Sequence, residues 1–373
     1  MRILITGGHL TPALALIDEI KTQNLPWTVI FAGREFAQLA TAQPSYEAVE
    51  IKRRQLDFIN FEAVKTGSFQ LGKFSGSVKN AKKILQNQKI DLVFSFGGYL
   101  ALPFALAARY LRLPVLTHEQ TRVLGSANHI IALLAKKVAV SFPDTKVWPA
   151  SKLVLTGNPL RQEIFNPRAK APTWFHSQED ERPWLYISGG SQGCKAINEA
   201  VAQIMDQLLE KFIVIHQAGA SSDKRNPIKE LESFYSSKTP LSNSKNYYPR
   251  EFLSVSELAF FYPRLSLALG RAGANTVAEL SAFRIPTLYV PLPFSNHQEQ
   301  LLNARYQEQL GAAQVMLQDD LGPETLLTAL KTLSKRAPLM KKPQQNTSFN
   351  LAAADKLITL IKNIYAQKSH SEI

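Results

Sequence analysis

Short apolar runs recur along the chain, each followed by glycine and then by a segment whose apolar residues return at helical spacing. Residues 2–5 form the first run. Gly7 and Gly8 follow, and Ala13, Leu16, Ile17 and Ile20 mark one face of a helix predicted over 12–20, with Thr11 as N-cap and Pro12 at its first position. The plan repeats at 184–188, where Gly189 and Gly190 lead into a helix over 196–209 carrying Ile197, Val201, Ile204, Met205 and Leu208 on one side. A third pair, Gly97-Gly98, follows the strand predicted at 91–96. Strands alternating with helices predict parallel sheets, whose ligands gather beyond the carboxyl ends of the strands.

The densest stretch is 265–304. An apolar run at 265–269 meets a turn bracketed by Gly270 and Gly273. Asn275 or Thr276 can then cap a helix carrying Ala278, Leu280 and Ala282, and a strand over 285–292 is punctuated by Pro286 and Pro291. A glycine turn feeding a helix N-terminus offers backbone N–H groups and a partial positive charge, which is what a nucleotide diphosphate requires.

The 373 residues suffice for two α/β domains, with a boundary expected near Gly157-Asn158-Pro159. The first domain then spans 1–158, and the second, 159–346, holds the candidate nucleotide site. A C-terminal helix over 347–367 packs back on the first domain. The polar, Pro-containing stretch 170–183 reads as a surface approach and 221–246 as a peripheral segment. With 45% hydrophobic and 20% charged residues the composition is that of a folded protein. The single cysteine, Cys194, excludes an internal disulfide or a cysteine-built zinc site and fits a reducing compartment. The apolar run at 3–5 is too short for a signal peptide, and no apolar stretch approaches the roughly 18 residues of a membrane span.

Charge sharpens the picture. The net charge is +13, and residues 1–157 hold 19 Lys and Arg against 10 Asp and Glu. Phe69, Leu71 and Phe74 lie among Lys65, Lys73, Lys79, Lys82 and Lys83, a mixture suited to an anionic membrane surface, although phenylalanines at such spacing are more commonly core. No helix-turn-helix, zinc-finger or RNA-recognition signature points to nucleic acid.

Six motifs in order, Thr6-Gly7-Gly8-His9, Gly97-Gly98-Tyr99, His118-Glu119-Gln120, Gly157-Asn158-Pro159-Leu160-Arg161, Gly189-Gly190-Ser191-Gln192-Gly193 and Arg271-Ala272-Gly273-Ala274, resemble those of the MurG glycosyltransferases of peptidoglycan synthesis. The resemblance implies a GT-B fold, two Rossmann-like doubly wound domains facing across a cleft. It implies inverting transfer of N-acetylglucosamine from UDP-GlcNAc to undecaprenyl-pyrophosphoryl-MurNAc-pentapeptide, lipid I, giving lipid II at the cytoplasmic face of the cell membrane. No cofactor is implied, and no Asp-x-Asp motif stands at a strand end to hold a metal; helix N-termini after Gly190 and Gly273 can meet the leaving diphosphate instead. A diacylglycerol glycosyltransferase sharing the donor domain is the alternative acceptor reading. A UDP-GlcNAc 2-epimerase shares the two-domain fold, but its motifs are not recognised in this sequence. A non-catalytic basic membrane or nucleic-acid binder is the alternative of a different class.

By the same resemblance, Ser191 and Gln192 lie near the diphosphate, Glu279 binds the ribose hydroxyls, Gln300 with Glu299 meets the sugar, and the backbone near Leu253 meets uracil. Thr6, Gly7, Gly8, Arg161, Arg271, Ala274, Asn275 and Thr276 complete the donor set, and Tyr99 and Thr121 the acceptor contacts. His9, between a glycine turn and a helix, reads as a neutral general base; its alternative is a histidine that structures the turn. Glu119 either orients that region or acts as the base. Bland alternatives stand beside the rest: Thr276-Val277-Ala278-Glu279 is also a capping box, Gln300 and Asn303 suit an exposed helix face, Tyr99 and Arg161 an ordinary surface, and Cys194 a structural position. Two departures fall on the acceptor side. The first glycine loop is shorter than the family's Gly-Gly-Thr-Gly-Gly-His form, and Thr121 replaces its usual asparagine.

Overall fold

The computed structural model describes residues 1–36, 45–63, 71–176, 180–221, 225–234, 246–340 and 350–371. The chain divides into two compact units, Met1–Arg161 with Phe349–Ile373, and Gln162–Ser348.

In the first unit the strands are β1 (Arg2–Thr6), β2 (Thr28–Gly33), β3 (Asp57–Asn60), β4 (Leu92–Ser95), β5 (Val115–Glu119), β6 (Lys137–Val140) and β7 (Leu153–Leu155). They form one parallel sheet in the order β3-β2-β1-β4-β5-β6-β7. The order reverses between β1 and β4, so the turns after these two strands flank the switch point at which open α/β sheets bind ligands. The connecting helices are α1 (Leu10–Thr22), α2 (Tyr46–Arg53), α3 (Leu71–Asn87), α4 (Ala101–Tyr110) and α5 (Ser126–Leu134).

Alternation along the strands divides this core in two. Leu4, Ile30 and Val93 face a cluster with Leu85, Phe104 and Ile131 of α3, α4 and α5. Ile3, Ile5 and Phe94 face Leu16 and Ile17 of α1. The last helix of the chain (Ala353–Ser371) adds Leu357, Ile358 and Ile361 to that second cluster, and Gln23 Nε2 donates to its Asp355 at 2.9 Å.

The second unit repeats the design with β8 (Trp184–Ser188), β9 (Ile213–Gln217), β10 (Tyr247–Arg250), β11 (Leu265–Gly270), β12 (Thr287–Tyr289) and β13 (Ala313–Val315), all parallel, in the order β10-β9-β8-β11-β12-β13. Its helices are α6 (Lys195–Gln203), α7 (Met205–Leu209), α8 (Pro227–Phe234), α9 (Val255–Phe261), α10 (Ala274–Ala282), α11 (Glu299–Gln309) and α12 (Pro323–Met340). The reversal falls between β8 and β11.

Several local expectations change. α1 begins at Leu10 with His9 as N-cap, which puts Pro12 in the third helical position, not the first. The helix predicted over 196–209 is two, divided at Ile204. α10 is capped by Gly273, so neither Asn275 nor Thr276 is the N-cap and the capping box with Glu279 does not form. The stretch 170–183 is more than a surface approach: Phe175 is buried among Trp184, Tyr248, Phe260 and Phe261. Part of the stretch 221–246 is helical, as α8, while 222–224 and 235–245 lie outside the described residues.

Candidate functional site

Beyond the ends of β8 and β11 lies a cavity of about 770 Å³, walled by the turns at 189–194 and 271–276 and closed by Leu292, Gln300 and Gln318. Two helix N-termini reach it. α6 starts after Cys194 and α10 after Gly273, and neither has a side-chain cap. Their first-turn N–H groups and aligned peptide dipoles give this cavity a positive wall built from backbone.

Close packing holds the first turn in shape. A Cβ on Gly193, whose φ is +70°, would lie 2.0 Å from the Ala218 carbonyl oxygen, and one on Gly189 2.2 Å from the Cys194 nitrogen. Ala218 is itself anchored by a buried relay. Asn198 Nδ2 donates to Ala218 O at 3.1 Å, His216 Nε2 donates to Asn198 Oδ1 at 3.2 Å, and the Tyr247 hydroxyl donates to His216 Nδ1 at 2.9 Å. Burial pulls the His216 imidazole down to about 3, so it stays neutral and keeps this tautomer. Gln217 ties in the next loop, donating to Gly190 O at 3.2 Å and accepting from Leu253 N at 3.1 Å.

Ser191, Gln192, Arg271, Thr276 and Gln300 line this cavity. Arg271 is held against the wall, its guanidinium donating to the Val290 and Pro291 carbonyls, each at 2.9 Å, and to Gln318. Gln300 Oε1 accepts from Leu292 N at 3.1 Å. Ala274, Asn275, Glu279, Glu299, Leu253 and Arg161 are not in the lining.

Glu279 is one turn beyond Thr276 on α10, not in the first turn. It is buried and accepts the Tyr262 hydroxyl at 2.9 Å. The Leu253 N–H is bound to Gln217 and its side chain is in the core, so among its polar atoms only the carbonyl is left for uracil. Asn303 is fully buried and donates to Ala272 O at 3.3 Å, which removes it from any exposed face. Lys195, Glu199 and Gln318 also line the cavity and had no local signal in the sequence.

The first unit's switch point holds the other candidates. Gly8, with φ +151°, passes so close to Gly97 that a Cβ would lie 2.3 Å from its carbonyl oxygen. Thr6 is fully buried at the end of β1. His9 is exposed, and its Nδ1 lies 3.0 Å from Phe96 O. A carbonyl oxygen only accepts, so Nδ1 carries the proton and Nε2 the lone pair. Tyr99 is half-buried against the core, with the Arg34 guanidinium 5.9 Å from its ring centre.

Glu119 is bonded at both carboxylate oxygens. Oε1 accepts from Thr121 N at 3.0 Å and the Thr121 hydroxyl at 2.8 Å; Oε2 accepts from Gly125 N at 2.9 Å and Asn128 Nδ2 at 2.8 Å. Four donors on this buried carboxylate hold its loop. The Thr121 side chain is buried, with its hydroxyl donating to Glu119 and to Val123 O at 2.6 Å. His118 is fully buried, with its pKa drawn down to about 4 by burial.

Residues 6–140 match the glycosyltransferase family 28 N-terminal domain, and residues 184–358 its C-terminal domain. A UDP-N-acetylglucosamine–N-acetylmuramyl-(pentapeptide) pyrophosphoryl-undecaprenol N-acetylglucosamine transferase of Lachnoclostridium phytofermentans is 33% identical, over 97% of this chain and 99% of that one. The Clostridium botulinum (Loch Maree) protein of that name is 32% identical, over 97% of each. Among solved structures, Acinetobacter baumannii MurG superposes with a TM-score of 0.70 at 24% identity, covering 97% and 99% of the two chains.

Proposed function

We propose a division of labour between the units from the premise that this chain belongs to the MurG family of UDP-N-acetylglucosamine–N-acetylmuramyl-(pentapeptide) pyrophosphoryl-undecaprenol N-acetylglucosamine transferases. Its activity is transfer of N-acetylglucosamine from UDP-GlcNAc to that lipid-linked muramoyl-pentapeptide. The second unit binds the donor and the first carries the base. The observation that carries this assignment is the cavity at the β8–β11 reversal, where two helix N-termini without side-chain caps meet.

Transfer is a single displacement. The acceptor hydroxyl oxygen attacks the anomeric carbon as the bond from that carbon to the UDP oxygen breaks, which inverts the centre. The hydroxyl proton passes to His9 Nε2. The negative charge gathering on UDP is met by the amides at the starts of α6 and α10, dipoles that need no reorganisation. Ser191 and Gln192 flank the diphosphate, Gln300 reaches the sugar, and Glu279, its carboxylate oriented by Tyr262, takes the ribose hydroxyls.

Glu279→Ala tests the donor assignment. Loss of charge-assisted bonds to the ribose raises the UDP Kd about tenfold or more while far-UV circular dichroism is unchanged. A lower melting temperature with unaltered UDP affinity would make Glu279 only the partner of Tyr262. Radiolabelled UDP-GlcNAc supplied with lipid I or with diacylglycerol distinguishes the acceptors; label on diacylglycerol alone would overturn the assigned acceptor.

The acceptor's lipid requires docking at a bilayer, and among the described residues no helix is long and apolar enough to cross one. The docking surface we assign differs from the one expected around Phe69, Leu71 and Phe74. Phe69 and Lys65 lie outside the described residues, as does the Leu71 side chain, and Phe74 packs against the core. Exposed apolar groups stand instead on α4 and α5 and the loop before β7: Tyr110 (72% exposed), Ile130, Leu133 and Trp148 (76%). Ile130 and Leu133 share a helical face.

Cations lie beside two of these groups. Lys82 Nζ lies 3.8 Å from the Tyr110 ring centre, and Lys152 donates to Leu133 O at 2.8 Å. Burial, with the charges of Lys136 and Arg109, lowers the pKa of Lys152. Apolar insertion and attraction to anionic lipid, about 1 kcal/mol per lysine, act together here. Ile130→Ser with Leu133→Ser is expected to reduce co-sedimentation with anionic vesicles and leave UDP binding intact, and salt should weaken the wild-type association. Undiminished vesicle binding by the double variant would move the docking surface elsewhere.

A further inference from the structure

Lys195 opens α6 at its first helical position, where the helix dipole favours an acid and disfavours a cation. Its partner is Glu199, one turn along, with Nζ 3.6 Å from Oε1, too long for a hydrogen bond, and the lysine side chain is 66% exposed. Lysine preceding glutamate at this spacing is the weaker order of such a helix pair. Both residues line the donor cavity. Helix stability thus accounts only weakly for this pair, and a carboxylate on the wall of a diphosphate site is electrostatically adverse. The other cation on that wall, Arg271, is fixed by two carbonyls and Gln318. Lys195 instead has a flexible stem and, among the described residues, one loose ionic partner.

We propose that Lys195 is the mobile counter-charge of the donor diphosphate and that Glu199 is the anion it leaves when the diphosphate binds. The proposal rests on the donor-site reading above and adds two residues to it. Lys195 contributes an ammonium that follows the charge onto the departing UDP, beside amides that cannot move. Glu199 parks that ammonium close to the α6 N-terminus and competes for it, which weakens product binding and favours UDP release. The exchange is ionic and breaks no covalent bond.

Calorimetric titration with UDP and with uridine tests it. Lys195→Met is expected to raise the UDP Kd about tenfold and to leave uridine affinity unchanged, because uridine carries no phosphate. Lys195→Arg restores most of the loss. Glu199→Gln is expected to lower the UDP Kd roughly threefold, again without effect on uridine. Raising the salt concentration should weaken UDP binding by the wild type more than by Lys195→Met. Equal UDP affinity in wild type and Lys195→Met would overturn the proposal. So would a Glu199→Gln variant that loses UDP affinity as Lys195→Met does, since the pair would then be a helix brace. Failure of the donor-site reading looks different: the wild type itself would not bind UDP, and both inferences would fall.

Discussion

Gly193→Ala is expected to remove UDP binding almost entirely, whereas Gly190→Ala, three residues away in the same turn, is expected to be mild. Both glycines have positive φ, +70° and +85°, so each alanine meets the left-handed penalty of roughly 1–2 kcal/mol. The difference is space. A Cβ at Gly190 meets nothing within 4 Å. At Gly193 it would meet Ala218 O at 2.0 Å and Gly219 Cα at 2.9 Å, both backbone. Ala218 cannot yield cheaply, because it is held through Asn198, His216 and Tyr247.

The turn at 189–194 must move instead, and it carries the α6 amides out of register with a diphosphate. Overpacking costs about 1–3 kcal/mol, and with the backbone penalty this reads as a loss of about a hundredfold or more in UDP affinity. Calorimetry on both variants, with circular dichroism to verify the fold, checks it. If Gly193→Ala bound UDP within a few-fold of wild type, the turn would not be part of the donor site.

The sheets and their glycine turns were legible because period and punctuation are local. Runs such as 184–188 and 265–269 are buried on both faces and end at glycines that the tight turns require. What failed depended on atoms distant in sequence. Gly273 caps α10 where Thr276-Val277-Ala278-Glu279 offered a local capping box, and Glu279 turns instead to Tyr262, 17 positions earlier. Thr121 looked available until the fold surrounded Glu119 with donors from Gly125 and Asn128. Gln318 reaches the cavity only because Arg271 meets it across 47 residues.

The pattern at 65–83 is ambiguous for a related reason. Interleaved Lys and Phe is also the pattern of an amphipathic helix packed on a core, and Phe74 takes that role. Lys152 joins the α5 face of Ile130 and Leu133 only through the tertiary contact between α5 and the turn leading to β7. Residues lining the second unit's cavity were thus more legible than the first unit's candidates. A phosphate is recognised largely by backbone, and glycine records backbone geometry in sequence. The first unit's Glu119 and Thr121 depend on side chains and loops whose partners lie elsewhere.

His9→Ala is expected to lower kcat by about 10²–10⁴, the range for loss of a general base, with the UDP Kd unchanged. The motive is the imidazole's orientation. Its Nδ1–H is bound to the Phe96 carbonyl at 3.0 Å, which fixes the ring and leaves the lone pair of Nε2 as its basic atom. The ring stands exposed at the N-terminus of α1, between strands where the sheet order reverses. The rival role, a histidine that only braces the turn, makes a different prediction for His9→Gln. Glutamine can donate from its side-chain amide to Phe96 O as His9 does, but it has no basic nitrogen. A brace would be rescued by glutamine; a base would not. Both variants should therefore lose turnover alike while retaining donor affinity and melting temperature. Near-wild-type turnover in His9→Gln, or a fall in UDP affinity matching the fall in rate, would take His9 out of the chemistry and leave it a structural part of the first glycine turn.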